Sequence, residues 1–142
     1  MTYPELLARY TKRHGALVEP IQGFDSLSPT LHLAYSLGRV RGFTDLGTYV
    51  NKPGDHGIGP PCYAFDLGRA DRFHFRGWGY LKARRLAKLY VREHLALNVE
   101  YVILGHRIWS RKYAAEHGGQ GWHAFTRDDS HLFHLHVSGH HN

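Results

Sequence analysis

The sequence predicts an α+β domain: a small, mainly antiparallel sheet with helices packed against it. Three observations lead there. The 142 residues include 42% hydrophobic and 21% charged side chains, enough for one core and ordinary for a globular chain. Apolar residues recur at helical spacing in some segments and alternate in others. These two kinds of segment are mixed along the chain, with no repeat, low-complexity tract or linker to divide it.

Taken in order, "PELLARYTKRHG" predicts a first helix, with Pro4 near its start and Gly15 past its end. "SPTLHLAYSLG" repeats that grammar, with Ser28 as N-cap, Pro29 in the first turn and Gly38 as the stop. A short strand is expected from Arg39 to Thr44, and "NKPGDHGIGPP" is a loop by composition. "CYAFDL" reads as a strand, followed by a Gly- and Arg-rich connection into the long helix "YLKARRLAKLYVREH". In that helix Ala83, Leu86, Ala87 and Tyr90 mark one buried face, while Lys82, Arg85, Lys88 and Arg92 fall largely on the other side. Such a charge run is most often a solvated face; attraction of a polyanion is the second reading. "VEYVIL" and "RIWS" predict strands, "EHGGQG" a loop and "FHLHVS" a final strand. Residues 1–142 are thus expected to form one domain, with a helical part over 1–40 and a site-bearing core over 41–138.

Several classes are excluded by composition. No apolar run approaches the roughly 20 residues of a membrane helix, so no membrane insertion is expected. The stretch "MTYPELLARYTKRHG" has no uninterrupted apolar segment, which predicts synthesis in the cytoplasm without a secretory signal. A single cysteine, Cys62, rules out a disulfide framework and a Cys-rich zinc finger. It reads as a small apolar filler, and any bound metal falls to His, Asp and Glu. Eighteen Lys+Arg against twelve Asp+Glu give a net charge of +6, which favours polyanions such as nucleic acids and anionic bacterial walls.

The segment "HLFHLHVSGHH" places five histidines in eleven positions. A metal site, a proton relay and a purification tag would all look like this. In a strand, His134 and His136 share one face while Leu135 and Val137 occupy the other. In "DHGIGPPCYAFDL", Asp66 shares a face with Ala64 and Cys62, opposite Phe65 and Leu67. His56 precedes it across a Gly/Pro turn that can fold the imidazole back toward Asp66. Two imidazoles and a carboxylate can compose a three-ligand zinc site with a fourth position open to water.

The ordered set His56, Ala64-Phe65-Asp66 and His134-Leu135-His136 resembles the zinc peptidases of the D-Ala-D-Ala carboxypeptidase type. These include vancomycin-resistance dipeptidases, phage L-alanyl-D-glutamate endopeptidases and the Hedgehog signalling domain. "YVILGHRIWS", a tryptophan loop and "HLFHLHVS" look especially like the peptidase modules of actinobacteria and the lysins of their phages. The resemblance runs from about Arg41 to Ser138. It implies a Hedgehog/DD-peptidase fold and a Zn2+ held by His56, Asp66 and His136. His134 would line the site and transfer the proton, with His131 as helper or as a hydrogen-bond donor in the transition state. Arg41 and Arg107 would hold a substrate carboxylate, for which the planar guanidinium is suited.

The chain departs from the family pattern twice. The family usually shows Ser-x-His-x-x-Gly-x-Ala-x-Asp, a closer spacing than the nine residues between His56 and Asp66 here. Phe133 stands where many members carry an acidic base; another branch shows the His-x-x-His-x-His matched by His131, His134 and His136. The implied function is zinc-dependent hydrolysis of peptidoglycan stem or cross-link peptides by a monomeric phage lysin or virion-associated lysin, with no nucleic-acid partner. The alternative is an inactive zinc-binding relative serving as a wall-binding or virion module. A phosphoesterase with two His-x-Ser/Thr motifs fails, since His136-Val137-Ser138 supplies only one. Trp78, Trp109 and Trp122 read as packing residues, and His140 and His141 as a frayed tail.

Overall fold

The computed structural model describes residues 1–20, 27–47, 64–69, 75, 77–125 and 134–140. His56, Cys62, His131 and Phe133 lie outside these residues. Among those described are five helices and six strands.

Helix α1 (Tyr3–His14) starts where Thr2 Oγ1 accepts a hydrogen bond from the Glu5 N–H at 3.3 Å and ends at Gly15, whose φ is +81°. Helix α2 (Pro29–Arg39) carries a correction to the sequence reading. Gly38 is not the stop; it lies inside the helix and is buried. A Cβ there would overlap Leu67 Cδ1 and come within 3.0 Å of Tyr90 Oη. Glycine is required because α2 crosses the sheet and the neighbouring helix at this point. The turn comes later, at Gly42 (φ +91°), whose N–H reaches Arg39 O. The strand expected from Arg39 is displaced accordingly, and β1 runs over Thr44–Gly47.

Strand β2 (Ala64–Gly68) leads on to α3 (Trp78–Arg92), a short α4 (His94–Leu97), β3 (Val99–Leu104) and β4 (Arg107–Ser110). Next come α5 (Arg111–Glu116), β5 (Trp122–Ala124) and β6 (His134–Gly139). The sequence reading left α5 and β5 unassigned. Ser110 Oγ starts α5 by accepting the Tyr113 N–H at 3.0 Å, and β5 pairs with β4 beyond the glycines at 118, 119 and 121.

The strands lie in the order β1-β2-β6-β3-β4-β5, and every pairing is antiparallel. Alternation then gives the sheet two faces. One carries Phe65, Leu67, Leu135, Val137, Val102, Leu104 and Trp109, all buried in the core with α2 and α3. Ala83, Leu86, Ala87 and Tyr90 of α3 are almost fully covered, as the helical spacing predicts. Each large apolar side chain buried this way contributes about 1.5–3 kcal/mol.

The phenols of Tyr35 and Tyr90 inside the core are satisfied. Tyr90 Oη donates to Ala34 O at 2.6 Å, and Tyr35 Oη donates to Asp45 Oδ2 at 2.8 Å while accepting from Arg39. Burial pushes both phenols above the ordinary tyrosine value, and the Asp45 carboxylate adds to the effect at Tyr35. Trp109 sits in the core and Trp122 packs against it, as expected. Among the described residues, no helix is long and apolar enough to cross a membrane.

Candidate metal centre

Antiparallel pairing of β2 with β6 sets Asp66 directly opposite His136, Ala64 opposite Ser138 and Gly68 opposite His134. Residues opposite one another across a sheet share a face. Asp66, His134, His136 and Ser138 therefore gather on the face turned away from α2 and α3. Their strand neighbours Phe65, Leu67, Leu135 and Val137 anchor that arrangement in the core.

The carboxylate is the hub. Asp66 Oδ1 lies 2.8 Å from His136 Nδ1 and 3.6 Å from His134 Nε2. The other nitrogen of His136, Nε2, lies 2.8 Å from Ser138 Oγ. Tyr101, brought alongside by the β3–β6 register, stacks on the His136 ring at 5.5 Å between centroids and 20° between planes. Opposite Asp66 on its other side stands Gly47, which has no side chain to cover the carboxylate. The side chains of Asp66 (20% exposed) and His134 (12%) keep partial access to solvent, whereas His136 (8%) and Ser138 (1%) are buried.

The sequence-assigned residues are thus brought together in part. Asp66, His134 and His136 converge; His56 and His131 fall outside the described residues. Arg107 does not join them. It pairs with Leu104 across β3–β4 and so belongs to the helix-covered face with Trp109. Arg41 lies on that side too, donating to Leu37 O at 2.8 Å and standing beside Lys82 and Arg85 of α3. His140 is no frayed tail: its N–H reaches Asn98 O at 2.9 Å and its Nδ1 lies 2.9 Å from Glu100 Oε2. Sequence reasoning missed the roles of Ser138 and Tyr101. Ser138 was within reach, because it follows His136 by two in a strand. Tyr101 was not, because only the pairing of β3 with β6 brings it there.

Among the described residues, no group of three or more His, Cys, Asp or Glu is arranged to hold a metal. Asp66 and His136 nevertheless carry a carboxylate and an imidazole, both donor types that a zinc site uses. Donors on a tetrahedral zinc with bonds near 2.0–2.1 Å stand roughly 3.3 Å apart; Asp66 Oδ1 and His136 Nδ1, hydrogen-bonded at 2.8 Å, would have to part by a few tenths of an ångström to share an ion. An imidazole whose second nitrogen is held by a hydroxyl also matches the usual support of a metal-bound histidine.

Compared with known proteins, the chain matches no family model, no curated protein and no solved structure.

Proposed function

We propose that the chain is a zinc-dependent peptidase of the Hedgehog/DD-peptidase type that cleaves stem or cross-link peptides of bacterial peptidoglycan, as a phage lysin or virion-associated lysin. The observation that carries this reading is the facing pair Asp66 and His136, with His134 beside them on the sheet face turned away from α2 and α3. Asp66 and His136 would hold the ion together with His56. Bound zinc supplies a Lewis acid and makes water a nucleophile near neutral pH.

The remaining work belongs to the chain's own side chains. Ser138 fixes the rotation of the His136 ring from behind, and Tyr101 holds its plane. A hydroxyl can donate to or accept from Nε2, so Ser138 accommodates whichever tautomer the Asp66 side requires. His134, adjacent to the carboxylate and partly open to water, takes the proton released on attack at a peptide carbonyl and returns it to the leaving amine. An imidazole suits this task because its ordinary pKa of about 6.5 allows both states near neutrality.

One feature favours a different hydrolase. Ser138, His136 and Asp66 are hydrogen-bonded in the order of a Ser-His-Asp triad, each link at 2.8 Å. The nucleophile of such a triad must be reached by substrate, and Ser138 is buried between Ala64 on β2 and Tyr101 on β3. The zinc reading therefore stands first. Purified walls incubated with the protein should release new amino termini, and a chelator should stop the release until zinc is restored. Wall binding without release would favour the inactive relative. Chelator-resistant hydrolysis with labelling of Ser138 by a fluorophosphonate would favour the serine hydrolase.

A further inference from the structure

We propose that the helix-covered side of the domain carries a second binding face, for a linear poly(polyol phosphate), separate from the Asp66–His136 centre. Helix α3 forms a ridge with a hollow on each flank. One hollow, of about 410 Å³, is lined by Arg84, Lys88 and Arg107, with the rings of Tyr80 and Trp122. The other, of about 380 Å³, is lined by Arg41, Lys82, Arg85 and Arg92 beside Leu86 and Leu89. All seven cations are exposed. Among the described residues, no carboxylate lines either hollow, and the one carboxylate paired with any of the seven is Glu93, 3.4 Å from Arg92 Nε. Seven cations here against a net +6 for the whole chain leave all the other residues together close to neutral. Among the described residues this side is therefore strongly basic, and it is not the side bearing Asp66 and His136.

The shape of this face selects among polyanions. The seven charges are split across a helix, and a stiff duplex would have to take α3 into its major groove to meet both flanks. A flexible chain can cross the ridge and place phosphates in both hollows. Single-stranded nucleic acid is flexible too, but its binding sites pair cationic grooves with aromatic platforms for successive bases. Here the flank with Arg41 has no exposed ring, since Phe43 is buried. A polymer with a phosphate in every repeat and no base to stack matches both flanks. Neither the site nor the choice of ligand depends on the chemistry at Asp66.

The test uses the full chain with three probes: poly(glycerol phosphate), oligodeoxythymidylate of equal phosphate number, and inorganic phosphate. Dissociation constants are measured across a salt series. Poly(glycerol phosphate) should bind at least about tenfold more tightly than either other probe, with strong salt dependence. Combined Arg84→Ser, Lys88→Ser and Arg107→Ser, or combined Lys82→Ser, Arg85→Ser and Arg92→Ser, should each weaken binding at least about tenfold. Each should also lower the log–log salt slope by about 2, the loss of three contacts at about 0.7 each. Arg84→Lys with Arg107→Lys should retain binding, which separates charge from fold, and Asp66→Ala should bind like the unaltered protein. Equal or tighter binding of the oligothymidylate would make this a nucleic-acid face and overturn the proposal. So would no binding of poly(glycerol phosphate), salt-insensitive binding, or a triple variant with unchanged affinity.

Discussion

Asp66 Oδ1 stands between two imidazoles, 2.8 Å from one and 3.6 Å from the other, and these distances make the roles of the three residues separable. The protein should carry about one zinc per chain, and Asp66→Ala should lose most of it; metal-free protein purified without chelator would end the peptidase reading. His134→Ala should keep zinc and fold while losing about 10²- to 10⁴-fold in turnover, the usual worth of general acid–base catalysis. Loss of metal in that variant would instead make His134 a ligand. Ser138→Ala removes a group that touches neither substrate nor ion, so it should act through His136. We expect zinc affinity to fall about 10- to 100-fold, read by competition with a chromogenic chelator rather than by activity. Alternation along a strand made the shared face of His134 and His136 legible in the sequence, and likewise the side chosen by Asp66. The pairing of Asp66 with His136 was not legible, because nothing local fixes the register between residues seventy apart. Arg107 shows the same limit. Its parity with Trp109 could be read, but not which of those two faces the helices would cover.

At the scale of elements, α3 shows how far periodicity carries. Ala83, Leu86, Ala87 and Tyr90 were legible as an inward stripe because a fifteen-residue helix repeats its pattern several times. Six-residue α5 and three-residue β5 repeat nothing, and β1 was misplaced because a glycine turn, not a strand, follows α2. Gly38 looked like a helix stop since glycine commonly is one; its true cause lies on β2 and α3. Gly38→Val should therefore destabilise by about 1–3 kcal/mol, the range for overpacking a filled core, as read from urea unfolding. Tyr90 gives a pH test whose sign follows from burial. The folded state holds its phenol proton more tightly than the unfolded chain, whose value is near 10. Below about pH 10 both states are protonated and stability is flat; above it the unfolded chain alone releases the proton, so stability falls as pH rises. Tyr35 acts in the same direction. Tyr90→Phe should lose about 1 kcal/mol at neutral pH with the Ala34 hydrogen bond, yet show a shallower alkaline decline.

For the molecule as a whole, the sheet separates two kinds of chemistry. The imidazoles and carboxylate lie on one side, and the seven exposed cations lie on the other, Arg41 and Arg107 among them. Neutralising the cations of α3 should slow digestion of whole walls at low salt, where their field reaches beyond the ~8 Å screening length of physiological ionic strength. Cleavage of a short soluble peptide should hardly change, and because Arg41 and Arg107 lie on the helix-covered side, Arg41→Ala and Arg107→Ala should behave alike. If either arginine variant is equally impaired on the short peptide, that side chain reaches substrate at the Asp66 face and the separation fails.

The strand order has a bearing on when this protein becomes competent. β6 follows the other described strands in sequence yet lies inside the sheet, wedged between β2 and β3. During synthesis the ribosome delivers β1 and β2, then β3 to β5, and among the described strands it is β6, residues 134–139, that joins the two pairs of edges. Open edges of this kind recruit other strands, and closing a gap of seventy residues is slow compared with forming helices. Nascent chains stalled before His134 should accordingly be protease-sensitive and prone to self-association, and should bind no metal through His136. His134 and His136 arrive on the same strand that closes the sheet, so the facing of Asp66 with His136 and the joining of the two half-sheets are one event.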